Sequence, residues 1–357
     1  MKRLIIVLLI VNAPFLTFGE DGEGPGGFPS KKWGIGFGNS TLFTGIRFNW
    51  ADKDTERLNG ILFNFWQTKQ MEGTGVANGV NLGIPISTGN AKKNGVNVGI
   101  LGMAAADRMT GINIGGAGVA AGDRLSGLNL GGLGLGAGGS VNGINIAGLG
   151  AGSGGNMNGF NFAVLGVGSG GNLSGINIGG LGAGAGGNVN GVSLGILGLG
   201  AGEDMTGFSF GGLGLGAGET MTGVNIAGIA AGAGEEIRGL NVAVVAVGSP
   251  SVKGISIASV VGGIQVAGLT IAPAYLKVGQ KADKLESSQD PTSEAEVKGV
   301  AISAVNHVRG KNNGVCIGIV NMTQGGKGVQ LGLINYNASN PKGLRWLPVL
   351  NVSFKQK

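Results

Sequence analysis

An all-β repeat fold, a β-solenoid of two-strand coils about 16 residues long, is predicted by three features of the chain. A glycine that opens the phrase glycine–apolar–Asn/Ser–apolar recurs every sixteen residues from Gly79 to Gly239. Apolar and polar residues alternate with period two inside each unit, as in a strand. Each unit then closes on glycine with small or charged residues, which is turn chemistry. A fixed period favours stacked coils, because an insertion in one coil displaces its neighbours. An antiparallel outer-membrane β-barrel is the alternative. It fits the absence of charge from Leu125 to Gly202, but the central array has almost no Trp or Tyr for interfacial girdles.

The chain opens with Lys2 and Arg3, an apolar run from Leu4 to Ile10, and small residues Thr17 and Gly19 before Glu20. This pattern predicts a signal peptide over 1–19, because the apolar run is too short to span a bilayer. Residues 20–66 read as an aromatic-rich N-terminal cap carrying Trp33, Phe37, Phe43, Phe48, Trp50, Phe63, Phe65 and Trp66. Residues 67–276 form the glycine-rich array. Residues 277–298 form a polar loop insertion, the best single candidate for a partner-binding segment. Residues 299–357 hold looser repeats and a C-terminal cap.

Counting the recurrent glycine as position one, positions two and four are apolar, as in Ile112 and Ile114 or Phe160 and Phe162. Position three between them is Asn or Ser. A second alternating run, Leu133 to Gly138, has its apolar parity reversed, so a bend falls between Leu130 and Leu133. Position twelve is glycine again, followed by charges such as Asp123-Arg124, Glu203-Asp204 and Glu235-Glu236. Those charges place the turns in solvent. Apolar residues at positions two, four, seven, nine and fifteen are expected to fill a thin core. Stacking then aligns Asn97, Asn113, Asn129, Asn145, Asn161, Asn177, Asn225 and Asn241 in a ladder expected on an exposed face, each amide bonding the next.

Composition narrows the function. Glycine is 79 of 357 residues, while aromatic residues are 5% and charged residues 12%. The hydrophobic fraction of 42% argues against disorder. Removing Lys2 and Arg3 lowers the formal charge from +6 to +4 with no basic run behind it, which argues against nucleic-acid binding. His307 is the single histidine and Cys316 the single cysteine. Triads and His-rich zinc sites therefore have little to build on, and no internal disulfide can form. His307 is expected at the surface or in the cap. Cys316, at position three, is expected to face outward as a structural thiol. Windows matching GxGxxG arise by chance in such a chain, and no P-loop is present. The acidic turns are too irregular for a calcium array. No catalytic residue, cofactor or metal is expected.

The segments "GVQLGLINYNASNPKGLRWLPVLNVSF", Gly328 to Phe354, and "GGNMNGFNFAVLGVGSGGNLSGINIGG" resemble the glycine-rich surface repeat proteins of spirochaetes and Bacteroidetes. The resemblance covers roughly residues 45–354, and the chain departs from it by using GLGAG where relatives often have GLFN. It implies an exported, envelope-associated or surface-exposed protein and supplies no catalytic residues. The expectation is a non-enzymatic structural or adhesive scaffold of the outer membrane, cell surface or extracellular space, with the periplasm as the alternative compartment. Its partners would be a second copy of the chain, envelope polysaccharide or another surface protein. A membrane-embedded barrel acting as a pore or scaffold is the rival.

Overall fold

The computed structural model describes residues 28–66, 74–279 and 295–353. The signal-peptide segment and most of the polar insertion lie outside them. The chain divides into two compact units, Met1–Ser169 and Gly170–Lys357. Each is a β-solenoid, not a barrel.

In the first unit the coil from Ser140 shows the plan. A long strand, Ser140–Ala147, is followed by a corner, a short strand Gly150–Ser153, and a second corner. The long strand pairs in parallel with Arg124–Gly131 before it and Met157–Ala163 after it, each residue lying beside its counterpart sixteen places away. The short strands stack in the same register. This parallel pairing excludes the antiparallel barrel. The reversal of apolar parity after Leu130 is the first corner, at Gly132–Leu133.

The opening glycine sits inside the long strand and kinks it. Gly127 has φ of 111°, and a Cβ there would come 2.0 Å from the carbonyl oxygen of Gly111 in the coil before. Only glycine fits so close a backbone approach at positive φ.

The aromatic-rich segment is built of coils too. Trp33–Phe37, Leu42–Asn49, Arg57–Asn64 and Val76–Gly83 stack in parallel, and only Phe28–Pro29 runs antiparallel, across Gly34 and Ile35. Phe43 is buried with Leu58, Leu62 and Ala77, while Phe37, Phe48 and Phe63 stack one above another. The second unit has the same coil from Leu173–Gly179 through Ser251–Ile257. Towards its end the long and short strands merge, in Gln265–Val278 and Glu296–Asn312. The ends of the polar insertion thus belong to strands. Trp346–Val352 then pairs antiparallel with Val329–Asn337. Phe28–Pro29 in the first unit and Trp346–Val352 in the second thus each occupy part of a sheet edge that would otherwise present unpaired backbone groups.

The interior differs from expectation at position three. Asn97, Asn113, Asn129, Asn145 and Asn161 in the first unit, and Asn177, Asn225 and Asn241 in the second, are fully buried (0% exposed). The ladder is an interior one. Positions nine and fifteen do face inward, as in Val119, Leu135, Met109 and Leu125, joined by small residues such as Ala121 and Ala147. Positions two, four and seven face outward. Ile112 is 40% exposed, Ile144 47% and Leu133 56%. The physical reason is the stacking itself. A buried amide costs little once its groups are bonded. From Asn81 to Asn161, each Nδ2 donates to the Oδ1 of the next coil's Asn at 2.6–2.7 Å.

Candidate functional site

The outward apolar face follows from the kink. Position one turns the long strand, so residues before it and after it lie on different stripes of the coil surface. Before it come positions fourteen and sixteen, which are polar: Ser140 and Asn142, Asn188 and Asn190, Glu236 and Arg238. Asn158 Nδ2 donates to Asn142 Oδ1 at 2.9 Å on this side. After it come positions two and four, then the corner at six and seven. In the first unit these place Ile144, Ile146, Leu149, Val164 and Leu165 in solvent. In the second unit Ile176, Val192 and Phe208 lie in register on neighbouring strands, all exposed. The corner beside them carries Leu181, Ile196, Leu197, Leu213 and Ile229. The short strands outside are nearly bare, as at Gly134 and Gly136 or Gly198 and Gly200. Each unit is therefore amphipathic: a polar stripe, an apolar stripe, and a flat glycine stripe. Contiguous apolar surface on this scale marks an interaction site.

Sequence reasoning missed a second feature, a buried polar cluster in the first coils of the first unit. Arg47 and Asp52 form an ion pair with both side chains fully buried. Asn49 Nδ2 and Asn64 Nδ2 also donate to Asp52, at 3.0 and 3.2 Å. Lys93 occupies position fifteen, where later coils have Met109, Leu125 and Val141. Its Nζ donates to Ser87 Oγ at 2.6 Å and lies 3.6 Å from Met103 Sδ. Burial, opposed by the Asp52 carboxylate and reinforced by Arg47, lowers its pKa to about 8. The cluster has two cationic side chains and one carboxylate, and Arg47 Nε and Nη1 have no partner. Every member is sealed inside the coil, so the arrangement bears on stability and has no route to a substrate.

The two residues singled out for their chemistry take separate places. His307 is half-buried on the outer side of a merged strand, its Nδ1 2.8 Å from the Tyr275 hydroxyl. Burial, Arg309 and Lys277 together lower its pKa. Cys316 faces inward, correcting the outward placement, in the column that continues Thr270 and Ala301. Burial pushes its thiol up to about 12, so it is protonated and unreactive. A cleft of about 330 Å³ at Ser249, Gly263 and Lys277 opens where the polar insertion leaves the second unit. Among the described residues no group of three His, Cys, Asp or Glu is placed to hold a metal ion, and no helix is long and apolar enough to cross a membrane.

No protein-family model matches the chain, and no curated protein or solved structure is significantly similar to it. Function must therefore be argued from the surface itself, and the surface feature that requires explanation is the apolar stripe.

Proposed function

We propose that the chain is an exported, non-enzymatic repeat protein of the bacterial cell envelope or surface, acting as a structural or adhesive binding scaffold. The observation that carries this reading is the apolar stripe of positions two, four and seven, repeated in register along each unit. A protein interior would bury such side chains, and each one left in water forgoes roughly 1–2 kcal/mol of burial free energy at its observed exposure. A surface kept apolar over coil after coil fits a scaffold that docks a repetitive or extended partner. The chemistry favours a protein partner over polysaccharide, because Ile, Leu, Val and Phe offer no hydrogen bonds to sugar hydroxyls. Export rests on the pattern of the first nineteen residues and the resemblance of the repeats to envelope proteins.

Fractionation of cells expressing the full chain tests the reading. The protein is expected in the envelope fraction with Glu20 as its first residue. Changing Ile144 and Leu197 to Lys together is expected to release it from that fraction while leaving a β-type circular dichroism spectrum. Recovery from the cytoplasm with Met1 intact, or undiminished envelope retention of the variant, would overturn it.

A further inference from the structure

We infer that the apolar stripe of the Gly170–Lys357 unit binds the same stripe of a second copy of this chain, sheet face against sheet face. The inference rests on the scaffold reading and names its partner. Three observations select the occupant.

The first is area. Ile176, Val192, Ile196, Phe208, Phe210 and Leu213 are each 36–65% exposed, and the corner and later coils continue the stripe through Ile229, Val244 and Ile255. At on the order of 80 Å² for each half-exposed side chain, the thirteen exposed large apolar residues from Ile176 to Ile257 offer roughly 1,000 Å², somewhat more than the ~800 Å² per partner that a stable complex needs.

The second is shape. Parallel strands in exact register set Ile176, Val192 and Phe208 in a column, with Ile178, Leu194 and Phe210 beside it. Strand spacing of about 4.8 Å makes these columns evenly spaced ridges. Ridges of fixed spacing on a sheet face interdigitate with an identical set turned about a two-fold axis, at the usual separation of about 10 Å between packed sheets.

The third is charge. From Leu173 to Gly248 the unit carries Glu203, Asp204, Glu219, Glu235 and Glu236 against a single base, Arg238. All of them lie at the turn that closes the coil or on the polar stripe, away from positions two and four. A face-to-face pair therefore brings no charge into its interface. Over Leu173 to Gly248 an anionic lipid surface would meet five carboxylates and a single base, and the unit's other bases begin only at Lys253, at the far end of the stripe, which disfavours a bilayer as the occupant of these coils.

The experiment is sedimentation velocity on the full chain from Glu20, over a range of concentrations and without detergent. The expected result is a reversible dimer. Val192→Lys together with Phe208→Lys is expected to raise the dimer dissociation constant by about 100-fold or more, because each places an amine in the apolar contact. Asn190→Lys with Thr206→Lys, on the polar stripe of the same coils, is expected to leave it unchanged. Both substituted positions face outward, and circular dichroism checks that the coils persist. A wild-type monomer at every concentration overturns the inference, as does a dimer indifferent to Val192→Lys and Phe208→Lys. A monomer that floats with anionic phosphatidylglycerol vesicles overturns it in favour of lipid. Envelope retention by a monomeric chain would defeat this inference alone. Loss of retention by a chain that still dimerises would defeat the scaffold reading alone.

Discussion

Lys93→Met is the substitution whose outcome the structure fixes most closely. Lys93 is fully buried, faces Asp52 and Arg47, and has its pKa lowered from 10.5 to about 8. A folded-state pKa below the unfolded one means that the unfolded chain binds more protons between those two values. Lys93 therefore costs the fold its full penalty below pH 8, and the penalty is relieved as pH rises towards 10.5. A shift of that size corresponds to about 3 kcal/mol. Met removes the penalty and restores the residue type that coils further on have at this position, Met109 and Met157. Against this stands the lost hydrogen bond to Ser87, worth about 1 kcal/mol. Ser87 Oγ still accepts from Asn64 Nδ2 at 3.1 Å, and Arg47 and Asp52 remain paired. The variant is expected to be more stable than wild type by about 2 kcal/mol at pH 7. That advantage should shrink above pH 8 and reverse near pH 10, where the lost hydrogen bond outweighs the relieved penalty. Urea unfolding followed by tryptophan fluorescence reads it, since Trp33, Trp50 and Trp66 lie in the same unit, in a Trp346→Phe background to silence the other. Cys316 acts oppositely. Its raised pKa makes its contribution fall away as pH climbs from about 9 to about 12, but the term is common to both proteins and cancels in their difference. A difference independent of pH, or a Met variant less stable than wild type at pH 7, would refute the reasoning.

Other positions give sharper contrasts. Asn129→Ala removes the acceptor of Asn113 Nδ2 and the donor to Asn145 Oδ1, so chemical unfolding should show a loss of about 2–4 kcal/mol. Asn129→Ser should cost less, because Ser193 and Ser209 occupy position three naturally in coils of the second unit. Gly127→Ala should abolish cooperative folding, read by circular dichroism, since the added Cβ would meet a backbone oxygen at 2.0 Å. Gly216→Ala has nothing within 4 Å and should be neutral or stabilising by about 0.5 kcal/mol in thermal unfolding. The Cys316 thiol should resist an aromatic disulfide reagent in native buffer and react fully in denaturant. Rapid native reaction would show that position three faces outward.

The coil, its period and its register were legible because stacking ties each residue to the one sixteen places on, and the sequence repeats accordingly. The corner after Leu130 could be placed as well, from the flip in apolar parity, whereas the kink at Gly127, inside the strand Arg124–Gly131, emerges only from the structure. What alternation alone cannot say is which of its two faces points inward. The rule that apolar residues go inside chose wrongly at positions two, three, four and seven, at the first three because it treats each amide as a lone polar group. In a parallel stack Asn113 finds its partners in the coils above and below, so the usual penalty for burying it disappears.

The sequence did hold a signal that could have decided the matter, and it is the constancy of position three. Volume does not separate the faces: outward position two runs from Val192 to Phe208 and back to Val224, but inward position nine also swings, from Leu135 to Ala151 and from Ala183 to Leu199, and is buried throughout. Position three keeps to Asn and Ser through the array, short groups able to bond their own kind. The same reasoning exposes Lys93. In its local run, Ala91-Lys92-Lys93-Asn94, it reads as one of two charges at a solvated turn. Placed on the sixteen-residue period it falls at position fifteen, one of the inward apolar positions, and only Asp52 and Ser87 from other coils make that placement tolerable. Periodicity thus locates a side chain in the coil, but whether it may stay there depends on partners that stacking brings from outside its own repeat.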